Sequence, residues 1–208
     1  MIKLIVFDCD GVMFDSKPVN QRYYNQILDH FGKPAMTADE LEYVHMHNVQ
    51  EGVSHIFRNY QEIDMEEVNN YRNGMDYTRF IPYMVIGKDL KEFLEAVKER
   101  FYLAISTNRS DTMELLLDTF GIKQYFGKVM TPINAERPKP APDAMLEILD
   151  YYQVKAEETI FIGDSMVDQM HAKASGVQLI AFNNQSLQTP YHVKSFMEIW
   201  KLPIMMDS

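Results

Sequence analysis

A short apolar run, Leu4-Ile5-Val6-Phe7, leads directly into Asp8-Cys9-Asp10-Gly11. The run is too short for a helix and rich in β-branched and aromatic side chains. It is read as a buried strand of a parallel sheet. In open α/β sheets, ligands bind where such strands end. Strand periodicity puts residues 8 and 10 on one side, with Cys9 facing away. Two carboxylates this close repel unless a cation lies between them or one keeps its proton. The pair calls for a hard divalent ion, an acid/base role, or both. An Asp-rich turn without chemistry is the plain alternative.

The chain then changes character. Tyr24, Ile27, Leu28 and Phe31 form the stripe of an amphipathic helix, ended by Gly32-Lys33-Pro34. Helical patterns follow over Leu41 to His45, Val53 to Tyr60 and Met65 to Phe80, with no convincing strand among them. From Asp89 onward, helix and strand alternate. Strands are expected at Phe101 to Ser106, Lys128 to Met130, Thr159 to Ile162 and Val177 to Phe182. Helices are expected behind an Asp111-Thr112-Met113-Glu114 capping box, after Pro142, at Val167 to Ala174 and at Tyr191 to Trp200. Such alternation implies a parallel sheet covered by helices on both faces. The fold class is therefore α/β: a three-layer Rossmann-like core, residues 1–14 and 84–208, with an all-helical segment, residues 15–83, inserted after the first strand.

Composition narrows the function. The chain has 208 residues, long enough for a sizeable core, and a formal net charge of −10. That balance argues against nucleic acid as a partner, because a basic face is needed to offset phosphates. An anionic substrate would have to be met by a metal ion and a few placed cations. Cys9 is the single cysteine, so no intrachain disulfide can form, and it is read as a small buried filler. No signal peptide or membrane span is visible, and a cytoplasmic location is expected.

Polar chemistry gathers at four strand ends. After Asp8 and Asp10 comes Ser106-Thr107-Asn108, where a hydroxyl and free backbone N–H groups can hold phosphate oxygens. Next is Arg137-Pro138-Lys139-Pro140-Ala141-Pro142-Asp143, in which prolines restrict the backbone around a charged, flexible Lys139. The fourth, Gly163-Asp164-Ser165-Met166-Val167-Asp168, adds two carboxylates over a glycine-permitted turn. Each has a plain reading: a helix entry, an exposed lysine in a proline-rich loop, a capped helix start. Together they have one economical explanation. Asp8, Asp10 and Asp164 offer oxygen ligands to Mg²⁺, while Thr107 and Lys139 offer a hydroxyl and a cation to phosphoryl oxygens.

In these four motifs and their order the chain resembles the haloacid dehalogenase superfamily of phosphohydrolases, in the branch with a small helical cap that holds phosphoglycolate phosphatases and β-phosphoglucomutase. The resemblance implies that Asp8 is the nucleophile and forms an aspartyl-phosphate. It implies that Asp10 protonates the leaving oxygen and then activates water. Mg²⁺ would be held by Asp8, the backbone carbonyl of Asp10 and Asp164, with Asp168 orienting a bound water or Lys139 rather than touching the ion. Thr107, Asn108 and Lys139 would stabilise the phosphoryl group. The segment around His45, His47, Asn48, Gln50 and Gly52 resembles the family's specificity loop; His47 and Arg109 are candidates to touch substrate, and surface charges are the plain alternative. The expected activity is Mg²⁺-dependent hydrolysis of a small phosphate monoester by a monomer or homodimer. A sugar-phosphate phosphomutase of the same fold, and a non-enzymatic phosphoacceptor resembling a receiver domain, are the alternatives.

Overall fold

The computed structural model describes residues 1–47 and 49–206. Along the chain come β1 (Leu4–Phe7), β2 (Phe14–Asp15), α1 (Lys17–His30), α2 (Ala38–Met46), α3 (Val49–Phe57), α4 (Met65–Asn73) and a 3₁₀ turn at Tyr77–Tyr83. Then follow β3 (Val85–Ile86), α5 (Leu90–Val97), β4 (Tyr102–Ser106), α6 (Met113–Phe120), β5 (Lys128–Met130), α7 (Asp143–Tyr152), β6 (Thr159–Gly163), α8 (Met166–Ser175), β7 (Gln178–Phe182), β8 (His192–Val193), α9 (Phe196–Ile199) and α10 (Pro203–Met206). The chain divides into two compact units, Met1–Asp15 with Ile86–Ser208, and Ser16–Val85.

In the first unit, six parallel strands are ordered β5-β4-β1-β6-β7-β8. Period-two alternation sorts the sides of β1 into two cores. Leu4 and Val6 pack with Met145, Ile148 and Leu149 of α7 and Ala172 of α8. Phe7 points the other way, its ring 6.2 Å from Phe93 of α5 and 6.2 Å from Phe196 of α9. Every β1 side chain is fully buried, which is why the run carries no polar residue until the sheet ends. Later strands lie on both sides of β1: β4 and β5 on one, β6 to β8 on the other. The carboxyl end of β1 is thus where the order of connection reverses, the place at which such sheets bind ligands.

The second unit is helical. α1 starts with Pro18 in its first turn and buries Val19, Tyr23, Tyr24, Ile27 and Leu28. α2 begins with a capping box between Thr37 and Glu40. In α3 Gly52 is a packing requirement: a Cβ there would lie 2.8 Å from the Tyr24 hydroxyl. The glycine-containing stretch anticipated as a specificity loop is therefore mostly helix. Asn48 lies outside the described residues.

Several boundaries differ from the sequence pattern for identifiable reasons. The helix expected over Met65 to Phe80 stops at Gly74, and Asp76 restarts the chain as a 3₁₀ turn by accepting the Thr78 N–H at 3.0 Å. The helix expected over Val53 to Tyr60 begins at Val49. The segment Tyr191 to Trp200 is not one helix. Val193, Phe196 and Ile199 recur at a spacing of three and mimic a helical stripe, but Val193 belongs to β8, paired with Phe182 of β7. The capping box expected over Asp111 to Glu114 does not form: the helix starts one residue later, at an N-cap Thr112 whose hydroxyl accepts from Arg109 Nη1.

Candidate active site

β1 ends at Phe7, and the next residue is already at the rim of the sheet. Asp8 stays tied to the neighbouring strand, its N–H donating to the Ile162 carbonyl at 2.9 Å. The chain then turns tightly on Gly11, whose φ of +82° is left-handed. Gly11 serves a second purpose: a Cβ there would fall 2.0 Å from Asp164 Oδ2. Only a glycine lets the loop after β1 approach the carboxylate carried by the loop after β6.

Lys139 is the hub. Its Nζ donates to Asp8 Oδ1 at 2.6 Å and to Asp168 Oδ1 at 2.6 Å, and the residue is only 6% exposed. The plain alternative, an exposed lysine in a proline-rich loop, does not hold: Lys139 is buried and pinned by two carboxylates. Asn108 fixes the backbone that carries it. Its Oδ1 accepts the Lys139 N–H at 3.0 Å and its Nδ2 donates to the Lys139 carbonyl at 3.1 Å. The Asn108 side chain is therefore committed to positioning Lys139. The next peptide bond, Lys139–Pro140, is cis.

Asp168 does two jobs. Oδ1 meets Lys139, while Oδ2 accepts from the Ser165 hydroxyl at 2.6 Å and from the backbone N–H groups of Ser165 at 3.1 Å and Asp164 at 3.2 Å. The capped helix start is present: Ser165 and Asp168 form the capping box of α8, while the same Asp168 reaches Lys139. Gly163 makes room, since a Cβ there would lie 2.5 Å from Asp168 Cβ.

Electrostatics divide the carboxylates by environment. Burial pushes Asp8 up to about 8; the Lys139 charge opposes this, and Asp168 and Asp164 add to it. Burial and then the Asp168 charge push Asp164 up to about 7. Asp168 is also buried, but Lys139 and the Ser165 hydrogen bonds outweigh that and hold it low. For Lys139, burial alone would favour the neutral amine, but the two carboxylates raise it above the usual range. Asp8, Asp164 and Asp168 present carboxylate oxygens within 4.8 Å of one another, against one ammonium. Asp164 has no ion-pair partner among the described residues. This surplus of negative charge, with all-oxygen donors, fits a hard divalent cation in this cluster.

Thr107, just past β4, is held by its N–H to the Met130 carbonyl at 3.1 Å. Its Oγ1 accepts the Arg109 N–H at 3.1 Å, which leaves the hydroxyl proton to donate elsewhere. Three residues that sequence reasoning missed support this framework. His171 of α8 is paired at Nε2 with the Ser106 hydroxyl at 3.0 Å and at Nδ1 with the Ala141 carbonyl at 2.7 Å. Burial and the Lys139 charge hold it down to about 4, so it stays neutral and ties the loop after β4 to the loop bearing Lys139. Thr112 anchors Arg109, and Asn184 donates to the Asp164 carbonyl at 2.7 Å. Histidine spacing gave no hint of the first. Cys9 is fully buried and burial pushes its thiol up, which bears out its reading as filler.

His47 belongs to the helical unit. It stacks on Tyr43 at 3.8 Å, and its Nδ1 meets the Tyr43 carbonyl at 2.8 Å. On the other side His55 stacks on the same ring at 3.7 Å.

A lysine between two aspartates, beside a third carboxylate and a strand-end threonine, can now be set against known proteins. The profile of haloacid dehalogenase-like hydrolases matches residues 5–182. The chain belongs to that family. It is 28% identical to a phosphoglycolate phosphatase of Vibrio parahaemolyticus over 84% of this chain and 81% of the relative. It is 25% identical to a phosphorylated carbohydrates phosphatase of Thermotoga maritima, over 86% and 84%. A crystal structure of a subfamily IA hydrolase from Geobacter sulfurreducens superimposes with a TM-score of 0.89 at 32% identity, over 96% of this chain and 95% of that one.

Proposed function

We propose that the protein hydrolyses a small phosphate monoester with Mg²⁺, by transferring the phosphoryl group to Asp8. The reading rests above all on Lys139, whose ammonium lies 2.6 Å from both Asp8 and Asp168 at the carboxyl end of β1. It is supported by family membership and by relatives named as phosphatases of phosphoglycolate and of phosphorylated carbohydrates.

Asp8 attacks phosphorus in line and forms the acyl phosphate. It must be ionised to do so, and burial works against that. Lys139 offsets part of the cost, and a divalent cation held by Asp8, the Asp10 backbone carbonyl and Asp164 would supply the remaining positive charge and lessen repulsion from the anionic ester. Lys139 and the Thr107 hydroxyl donate to phosphoryl oxygens as charge builds on them. Asp168 holds Lys139 in place and does not touch the cation. Asp10 gives a proton to the leaving oxygen and later takes one from the attacking water. We assign choice among esters to the helical insert, residues 15–83, with His47 as its candidate contact. The single buried cysteine suits a reducing, cytoplasmic setting, where we expect a monomer or homodimer.

The test is phosphate release from a panel of metabolite esters with and without Mg²⁺. Release that requires Mg²⁺ and stops on chelation is expected. Turnover insensitive to chelation would overturn the metal assignment, and absence of release from every ester, p-nitrophenyl phosphate included, would overturn the activity.

A further inference from the structure

Arg109 and Asp10 form a closed pair inside the sheet unit. Arg109 Nε donates to Asp10 Oδ2 at 2.9 Å and Nη2 donates to Asp10 Oδ1 at 2.7 Å, the parallel two-bond geometry of a guanidinium on a carboxylate. Nη1 donates to Thr112 Oγ1 at 2.9 Å, and the backbone N–H of the same residue donates to Thr107 Oγ1. The Arg109 side chain is 8% exposed and that of Asp10 is 36% exposed. The cation is thus set into the unit, while the carboxylate it grips is the more open partner.

This arrangement conflicts with the role just given to Asp10. Both its oxygens accept hydrogen bonds from Arg109, and this pins the carboxylate in the plane of the guanidinium. Each oxygen keeps a second lone pair, but Asp10 turns toward a leaving group or a water only by giving up at least one of those bonds. Breaking a two-bond ion pair costs the guanidinium two charge-assisted hydrogen bonds. The loss is made good if the substrate brings an anion of its own to the same donors.

We propose that Arg109 is a latch on Asp10, opened by a second anionic group on the substrate. Resting on the phosphatase reading above, the proposal deepens it. The preferred ester carries a carboxylate or second phosphate besides the group being removed. That anion takes over Nε and Nη2 of Arg109, Thr112 keeps its hold on Nη1, and Asp10 is released to face the leaving oxygen. Arg109 then acts as a specificity contact and a positioning residue at once. An ester without the second anion meets a latched Asp10 and reacts slowly.

Three esters of matched size test this: phosphoglycolate, ethylene glycol bisphosphate and the neutral hydroxyethyl phosphate. The wild-type protein should prefer the better of the two anionic esters over the neutral one in kcat/KM by about ten- to a hundredfold, the range a charge-assisted pair sets. Which anionic ester leads identifies the second group as carboxylate or phosphate. In Arg109→Met the preference should collapse to within about threefold, with the anionic ester falling and the neutral ester rising above wild type. A mere brace for Asp10 would make all three esters fall by one factor, and that result would overturn the proposal. So would a wild-type protein indifferent to the second anion. If Arg109→Met does not fold, Arg109→Lys keeps the charge but cannot bridge both oxygens, and its preference should still drop at least about threefold. Failure of the phosphatase reading is seen separately, as no release from p-nitrophenyl phosphate.

Discussion

Asp8, Asp10 and Lys139 show how far neighbours decide what a side chain can do. Asp8 and Asp10 are one residue apart in sequence, yet Asp8 is buried on an ammonium and Asp10 is half-open on a guanidinium. Replacing Asp8 by Asn should lower phosphate release by at least about three orders of magnitude, since an amide cannot serve as the nucleophile proposed for Asp8. In the phosphoryl-transfer step, read as alcohol release in the first turnover, Asp10→Asn should lose about 10²–10⁴-fold on alkyl phosphates, the usual share of a general acid, and much less on nitrophenyl phosphate, whose leaving group needs no proton. Equal losses on both esters would remove Asp10 from that role. The sequence exposed the residue types but not their couplings. The partners of Lys139 lie 131 and 29 residues away along the chain, and the prolines beside it read as a surface loop.

At the scale of elements, the site is a set of strand ends held in register by small devices. Gly11 brings the β1 loop against Asp164, and His171 ties the loop after β4 to the one bearing Lys139. Gly11→Ala should leave the helical unit folded yet raise the Mg²⁺ concentration needed for half activity by about tenfold or more, because the Cβ displaces a carboxylate the cation needs. An unchanged Mg²⁺ requirement would show that Asp164 does not hold the ion. His171→Leu leaves the buried Ser106 hydroxyl and Ala141 carbonyl unpaired and should cost about 1–3 kcal/mol in urea unfolding. The strands were legible because each is a short apolar run between polar breaks, as at Leu4–Phe7 and Lys128–Met130. The C-terminal segment was not, because a spacing of three at Val193, Phe196 and Ile199 suits a helix and a strand-then-helix alike. Asp111 to Glu114 has the spacing of a capping box, but the helix starts one residue later and the Thr112 hydroxyl serves the Arg109 side chain three residues back.

For the molecule as a whole, the acidic surplus makes stability depend on pH and would couple it to a bound cation. Folding raises Asp8 from an ordinary value of 3.8 to about 8, and Asp164 to about 7. At these two carboxylates the folded, metal-free protein binds more protons than the unfolded chain between about pH 4 and 8, and their contribution to stability falls as pH rises through that range. His171, lowered from 6.5 to about 4, acts in the opposite sense only below about pH 6.5. Between about pH 6.5 and 8 the metal-free unfolding midpoint should fall, and Mg²⁺ should restore it more strongly at the upper end, since the ion competes with those protons. A midpoint that rises over this window without metal would contradict the carboxylate environments described. The central claim is that the phosphoryl group passes through Asp8. The most direct measurement is peptide mass spectrometry of the Asp10→Asn variant, acid-quenched during turnover of p-nitrophenyl phosphate with Mg²⁺. A phosphoryl adduct on the peptide carrying Asp8 is the expected result; turnover of the ester with no adduct there, or with the adduct on another residue, would contradict it.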